Sequence, residues 1–308
     1  MSQPDFQAIL NEIHAEVQSL LGKGSVANYI PALAIADPTK FGMAVATVGG
    51  DLYTVGDAQE RFSIQSIAKV FALSLAFEIM GNDLWRRVGR ENAGNALNSL
   101  LQLEFKAGEP RNPLTNAGAI ITTDVILTAK GNQTKEVLLD FLKERSGNDT
   151  LGFNEEIAQL EIEHGHRTKA LAHLIASFKN MENHPQTVST LYFYQCAMEA
   201  SCADLARSML YLANKGVCPV SQKQILTASQ AKRVNAIMLT CGHYDVSGDF
   251  AFRVGLPGKS GISGGIVAVV PGKMAVAAWS PALNKDGLSM AASQALELFA
   301  AKTGFSIF

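Results

Sequence analysis

Ser66 and Lys69 stand three residues apart in the stretch Arg61-Phe-Ser-Ile-Gln-Ser-Ile-Ala-Lys-Val-Phe-Ala-Leu-Ser-Leu-Ala-Phe77. Polar residues that can start a helix lead there into an almost unbroken apolar run, the pattern of a helix buried on most of its circumference. A spacing of three then sets both side chains on one face, about one turn apart. A serine hydroxyl is a poor nucleophile until its proton is removed, and an amine among Ile67, Val70 and Phe71 loses solvation that favours its charged form. Burial thus makes Lys69 a candidate base and Ser66 a candidate nucleophile toward a carbonyl carbon. Free N–H groups and partial positive charge at the helix start suit an oxyanion forming beside the hydroxyl. By itself, Ser-x-x-Lys also fits a first-turn serine with a lysine snorkelling to solvent; the flanking apolar residues favour chemistry.

A second stretch of interest is Gly258-Lys-Ser-Gly-Ile-Ser-Gly-Gly265. Glycines beside a strand let a ligand approach the backbone, and a free N–H at the edge completes an oxyanion hole; taken alone, the segment reads equally well as a glycine-rich bend.

The elements that must position these groups follow from periodicity. Pro4 to Leu21 carries apolar residues at helical spacing and ends at Gly22 and Gly24. Asn28-Tyr-Ile-Pro31 reads as loop. Phe41 to Val48 and Leu52 to Val55 flank Gly49-Gly50-Asp51, which predicts a β-hairpin. From the Ser66 helix to about residue 245 the pattern is helical, over Leu114–Ala129, Lys135–Glu144, Arg167–Phe178, Thr187–Glu199, Ala203–Asn214 and Ser229–Cys241. Start signals occur at Ser201 with Asp204 and at Thr227 with Gln230. Phe250–Leu256, Gly265–Val270 and Lys273–Ser280 read as strands, and Gly287 to Lys302 as a closing helix.

This order predicts an α+β fold: a five-stranded antiparallel sheet backed by terminal helices, with a helical subdomain on its other side. Residues 1–308 are expected to form one unit, the sheet part from about 1–62 and 245–308 and the helical part from about 63–244. The Ser66 helix then falls at the junction of the two, where clefts for small ligands form.

Composition narrows the function. A chain of 308 residues with 47% hydrophobic and 18% charged residues buries a large core, and a net charge of −2 without a basic run offers no footprint for nucleic acid or an anionic membrane. Met1-Ser-Gln-Pro-Asp-Phe6 lacks an export pattern and no run is apolar enough to span a bilayer, so a cytoplasmic location is expected. Cys196, Cys202, Cys218 and Cys241 are too scattered for a disulfide framework and read as reduced and structural. His164 and His166, two apart, would face different ways on a helix, so no metal site is expected.

The Ser-x-x-Lys helix, the later Lys-Ser-Gly strand and the split sheet together resemble the serine β-lactamase and penicillin-binding-protein fold. Fuller wording is more specific. Tyr29-Ile-Pro31, Gly56-Asp-Ala-Gln-Glu-Arg-Phe-Ser-Ile-Gln-Ser-Ile-Ala-Lys69, Arg111-Asn-Pro-Leu-Thr-Asn-Ala-Gly118, Cys241-Gly-His-Tyr244 and Gly255-Leu-Pro-Gly-Lys-Ser-Gly-Ile-Ser-Gly-Gly265 are similar to the bacterial serine-dependent glutaminase family, from about Tyr29 to the C-terminus.

That resemblance implies hydrolysis of L-glutamine to L-glutamate and ammonia through a glutamyl-enzyme ester, without metal or cofactor. Position by position, it makes Ser66 the nucleophile, Lys69 its general base, and the N–H groups of Ser66 and Ile262 the oxyanion hole. Ile262 stands where the family usually has Val, a change that a backbone donor tolerates. Glu161 matches the acidic residue facing the substrate ammonium; Tyr29, Gln65, Asn116, Tyr192 and Tyr244 match further substrate contacts, and Tyr192 or Tyr244 relays a proton to the leaving ammonia. Without the resemblance, Tyr192 reads as packing and Glu161 as a surface charge. One position departs: Arg167-Thr168 stands where the family pattern has Arg-Asn, which removes an amide able to donate and accept together. A homodimer or homotetramer is also implied. The alternatives are a β-lactamase-like or D,D-peptidase-like acyl transferase and a catalytically silent glutamine-binding protein.

Overall fold

The computed structural model describes residues 4–93 and 100–308. Residues 1–3 and 94–99, the latter within the part of the sequence expected to be helical, lie outside the described residues.

Seven strands occur among the described residues: β1 Gly42–Thr47, β2 Leu52–Gly56, β3 Phe62–Ser63, β4 Glu199–Ala200, β5 Gly258–Ser260, β6 Gly265–Val270 and β7 Met274–Trp279. Five of them form an antiparallel sheet in the order β2-β1-β7-β6-β5, so chain segments more than two hundred residues apart in sequence pair at its centre. The register is continuous, with Ala44 opposite Ala277 and Val267 opposite Ala277 on its other flank. The β1–β2 turn closes with Gly50 at φ +104°, a backbone conformation that side chains disfavour.

Because successive strand residues point to opposite faces, the sheet has two apolar sides. On one, Met43, Val45, Ile266, Ala268, Val276 and Ala278 pack against helices Phe6–Val17 and Met290–Thr303. On the other, Ala44, Ala46, Val267, Val269, Ala275 and Ala277 join the core of the helical layer. Helix Ala68–Met80 runs through that layer with Ala68 to Phe77 all buried, which its apolar residues on every face require.

Two expectations need correction. Phe250–Leu256 is helical, not a strand: helix Ser247–Val254 buries Phe250 and Val254, four apart, while Phe252 is 90% exposed. Alternating apolar residues in a short run fit both periods, and here the left-handed Gly255 (φ +67°) ends a helix. The fifth strand is instead β5, just beyond. Likewise, the stretch from Arg61 is not helical from its start: β3 pairs with β4, a 3-10 turn spans Gln65–Ile67, and the α-helix begins at Ala68.

Other boundaries move modestly. Thr187–Glu199 becomes helix Pro185–Cys196 followed by β4, and Ala203–Asn214 splits into Cys202–Ser208 and Leu210–Ala213. The capping boxes at Ser201 and Thr227 are both formed. Among the described residues, no helix is long and apolar enough to cross a membrane.

Candidate active site

Ser66 lies in the 3-10 turn between β3 and helix Ala68–Met80. The residue before it, Gln65, has φ +47°, a strained conformation for a side-chain-bearing residue. Local contacts hold it: Gln65 Nε2 donates to Ser63 Oγ (3.0 Å), Ser63 Oγ donates to the Cys196 carbonyl (3.0 Å), and Ile64 N–H donates to the Met198 carbonyl (2.8 Å). β5 also approaches closely here. A Cβ on Gly261 would sit 2.8 Å from the Ile64 carbonyl oxygen, so this close approach requires glycine. Ile262 follows in the β5–β6 turn and lines the cavity above Ser66.

Lys69 is fully buried, and its Nζ donates to Ser66 Oγ at 3.0 Å and to Asn116 Oδ1 at 2.6 Å. Desolvation lowers its amine to about 8, with the Glu161 carboxylate opposing the shift. Among the described residues no carboxylate bonds to it; a neutral amide does, which leaves deprotonation within reach of ordinary pH. Asn116 is placed by its own segment. Asn112 Oδ1 accepts from the N–H groups of Leu114 (3.0 Å) and Thr115 (3.1 Å), and Thr115 caps helix Asn116–Lys130 by accepting from Gly118 N–H. Tyr192, on helix Pro185–Cys196, donates to the same Asn116 Oδ1 at 3.1 Å.

The opposite wall carries Glu161, on helix Glu155–His164, and Tyr29, in the loop before Pro31. Tyr29 is half exposed, yet its hydroxyl donates to Glu161 Oε1 at 2.5 Å with Gln65 Oε1 3.4 Å away. Burial raises the Glu161 carboxyl above its usual range, against the hydrogen bonds from Tyr29 and Gln65 and the charge of Lys69. Burial, then Glu161, pushes the Tyr29 phenol up as well. Tyr244 comes from a turn with φ +55°, and its phenol is raised by burial while hydrogen bonding with Ser66 and Ser260 opposes the rise.

These walls enclose a cavity of about 440 Å³, the size range of small-molecule sites. Tyr29, Gln65, Ser66, Asn116, Glu161, Tyr192, Tyr244 and Ile262 all line it, with Lys69 directly beneath. Thr168, on helix His166–Ser177, is buried and reaches it too. The arrangement offers an activated hydroxyl and a carboxylate lining one cavity, which is what attack on a carbonyl of a cationic small molecule requires.

The glutaminase family model matches residues 24–308. The glutaminase of Aliarcobacter butzleri is 51% identical over 304 residues, covering 99% of this chain and 100% of its own. That of Paraburkholderia phytofirmans is 50% identical with the same coverage. The chain belongs to the glutaminase family. Its fold matches the structure of the probable glutaminase YbaS with a TM-score of 0.95 at 34% identity, over 100% of this chain and 99% of that one. It also matches the Bacillus subtilis glutaminase YbgJ in covalent complex with 5-oxo-L-norleucine, at TM-score 0.87 and 30% identity over 99% and 100% of the two chains.

Several groups of this glutaminase site escaped the sequence reading. Lys259, on β5, is fully buried; its Nζ donates to the carbonyls of Gly242 (2.9 Å) and Ser260 (2.6 Å) and lies 4.5 Å from the Tyr244 ring centre. Desolvation and the nearby Lys69 hold it well below an ordinary lysine. A lysine between small residues of a strand was the available signal, read there only for its glycines. Cys196 lines the cavity with its thiol pushed up to about 12 by burial, so it stays protonated. Ile30, His164 and Arg167, which stand in stretches noted above but carry no assigned role there, also reach the wall, as does Asp286, which nothing in its sequence neighbourhood marks.

Proposed function

We propose that this glutaminase hydrolyses L-glutamine to L-glutamate and ammonia through an ester on Ser66. The observation that carries this reading is the 3.0 Å contact between Lys69 Nζ and Ser66 Oγ at the floor of a cavity whose far wall holds Glu161. In its neutral form Lys69 takes the Ser66 proton while Oγ attacks the side-chain amide carbon. The carbonyl oxygen becomes an oxyanion held by the N–H groups of Ser66 and Ile262. Collapse of the tetrahedral adduct breaks the C–N bond, and the departing nitrogen takes a proton and leaves as ammonia. Water then attacks the ester, its proton passing to the base, and frees glutamate and Ser66.

The proton for the leaving group comes through Tyr192 or Tyr244. Tyr244 lines the cavity together with Ser66, its ring centre 4.5 Å from Lys259 Nζ; Tyr192 is linked to Lys69 through Asn116. Glu161 faces the substrate ammonium, with Tyr29, Gln65 and Asn116 as neutral partners for its other polar groups. Thr168 offers one hydroxyl toward the substrate where an amide would offer two complementary groups.

Purified protein is expected to release ammonia from L-glutamine, and Ser66→Ala to abolish the release. Release that persists in Ser66→Ala, or glutamine binding without turnover, would overturn the reading; Ser66-dependent acylation by a penicillin would redirect it to acyl transfer. The same proposal includes a chain that works as one unit, in the cytoplasm, as a homodimer or homotetramer, which light scattering and cell fractionation test.

A further inference from the structure

We propose that His243 is a positioning residue for the reaction: its neutral imidazole wedges between helix Ser247–Val254 and strand β5, holds Tyr244 beside Ser66, and on taking up a proton releases Tyr244 and disables the site. The proposal rests on the hydrolytic reading for its kinetic test alone.

The ring is fully buried and stacks on Phe250, centroids 3.6 Å apart and planes 23° from parallel. At the edge of the stacked rings a Cβ at Gly258 would fall 2.6 Å from His243 Nε2 and 3.0 Å from Phe250 Cε1, so β5 carries a glycine where the imidazole needs room. Among the described residues neither ring nitrogen has a hydrogen-bond partner. Buried polar nitrogens are almost always paired, and an exception calls for a reason. Here the surroundings are those of an apolar wedge, tolerable for a neutral imidazole and costly for an imidazolium.

The facing charges point the same way. Desolvation first, then the cations Lys259 and Arg253, hold the imidazole well below its usual range. The carboxylates near that flank, Asp249 on the same helix and Glu297 on the C-terminal helix, are engaged by Arg253 at 2.9 and 2.8 Å. The turn itself carries one carboxylate, Asp245, whose side chain is exposed to solvent; of the other titratable groups packed here, Tyr244 and Cys241 are raised by burial, and Lys259 on the strand and Lys232 and Arg233 on the preceding helix are basic.

Displacement of the ring would reach Tyr244 directly, because the two are adjacent and the turn is tied to itself. His243 N–H donates to Ser247 Oγ (3.0 Å), Ser247 Oγ donates to the Tyr244 carbonyl (2.9 Å), and Val246 N–H donates to the His243 carbonyl (3.1 Å). Tyr244 itself sits at φ +55°, a conformation that persists only while its surroundings impose it. An open turn lets His243 protonate near its ordinary value of about 6.5. Since the closed form binds the proton far more weakly, closure is complete above that pH and weakens about tenfold for each unit below it.

The test compares wild type with His243→Met, which keeps an apolar wedge and removes the titration. Below the pH at which the open turn outnumbers the closed one, log kcat/KM of wild type is expected to steepen from the slope of one due to Lys69 toward two, while His243→Met keeps a slope of one. Hydrogen exchange over residues 241–250, corrected for intrinsic pH dependence, is expected to accelerate with acid in wild type and not in the variant. This readout needs no turnover, so a protein that hydrolyses nothing still answers it. Identical acid limbs and identical exchange in the two proteins would overturn the proposal. Should His243→Met not fold, the wild-type imidazole decides by NMR: titration near 6.5 with the turn still protected would overturn it, and titration only as the turn opens supports it.

Discussion

Met43, Val45, Val276 and Ala278 face Phe6, Leu10, Ile13 and Phe299, whereas the alternate residues Ala44, Val267 and Ala277 face the layer that encloses Ser66, Lys69, Asn116, Glu161 and Lys259. One face of the sheet is packed with apolar side chains against two terminal helices. The other buries two lysines with no carboxylate bonded to either among the described residues, a carboxylate raised by burial, and backbone strain at Gln65 and Tyr244. Buried charge and strained backbone destabilise a fold, so the apolar face and the helical core must offset them. The polar groups gather where a hydroxyl needs a base and a ligand needs a counter-charge.

Substitutions on the two sides are therefore expected to separate activity from stability. The largest loss of activity is expected from Ser66→Ala, about 10⁴-fold or more in kcat/KM, with the denaturation midpoint unchanged; substantial residual turnover would sink the nucleophile assignment. Lys69→Met is expected to lose about 10²–10⁴-fold and to be at least as stable as wild type, because it removes a buried amine. In wild type, kcat/KM should rise with pH and level off above about 8, since the neutral amine is the active form. A flat profile across that region would mean Lys69 is not the base.

Smaller effects test recognition. Glu161→Gln is expected to raise KM for L-glutamine by about 10- to 100-fold, the loss of about 1–3 kcal/mol of charge-assisted contact, with kcat changed far less; a kcat effect of the same size would place Glu161 in the chemistry. Thr168→Asn should lower KM by about fivefold, roughly 1 kcal/mol, if the missing amide limits binding, and leave the pH profile alone. Smallest for activity is Leu10→Ala on the apolar face. It should cost about 2–5 kcal/mol of stability, read by chemical denaturation, while the folded enzyme keeps its kinetic constants. Altered kinetics there would show that the two faces are coupled.

Much of this was legible in the chain. Ser66 and Lys69 announce themselves by spacing inside an apolar run, and the β1–β2 hairpin by its Gly-Gly turn, because both depend on residues close in sequence. The helix at Ser247–Val254 was misread because Phe250, Phe252 and Val254 satisfy a period of two as well as they satisfy four, and burial alone chooses between them. Lys259 and Asp286 were missed because a lone charged residue carries no sign of what it will face.

Local sequence, then, determined the Ser66–Lys69 pair, the capping boxes and most elements, through propensities and hydrophobic periods that act over a few residues. Family wording supplied the other wall of the cavity, Glu161 and the tyrosines. Only the tertiary structure decided that Lys69 meets Asn116 rather than a carboxylate, that β5 brings Lys259 under Tyr244, and that His243 is sealed with no hydrogen-bond partner among the described residues. Those are properties of desolvation and of contacts between distant segments, and both exist only once the chain has closed around them.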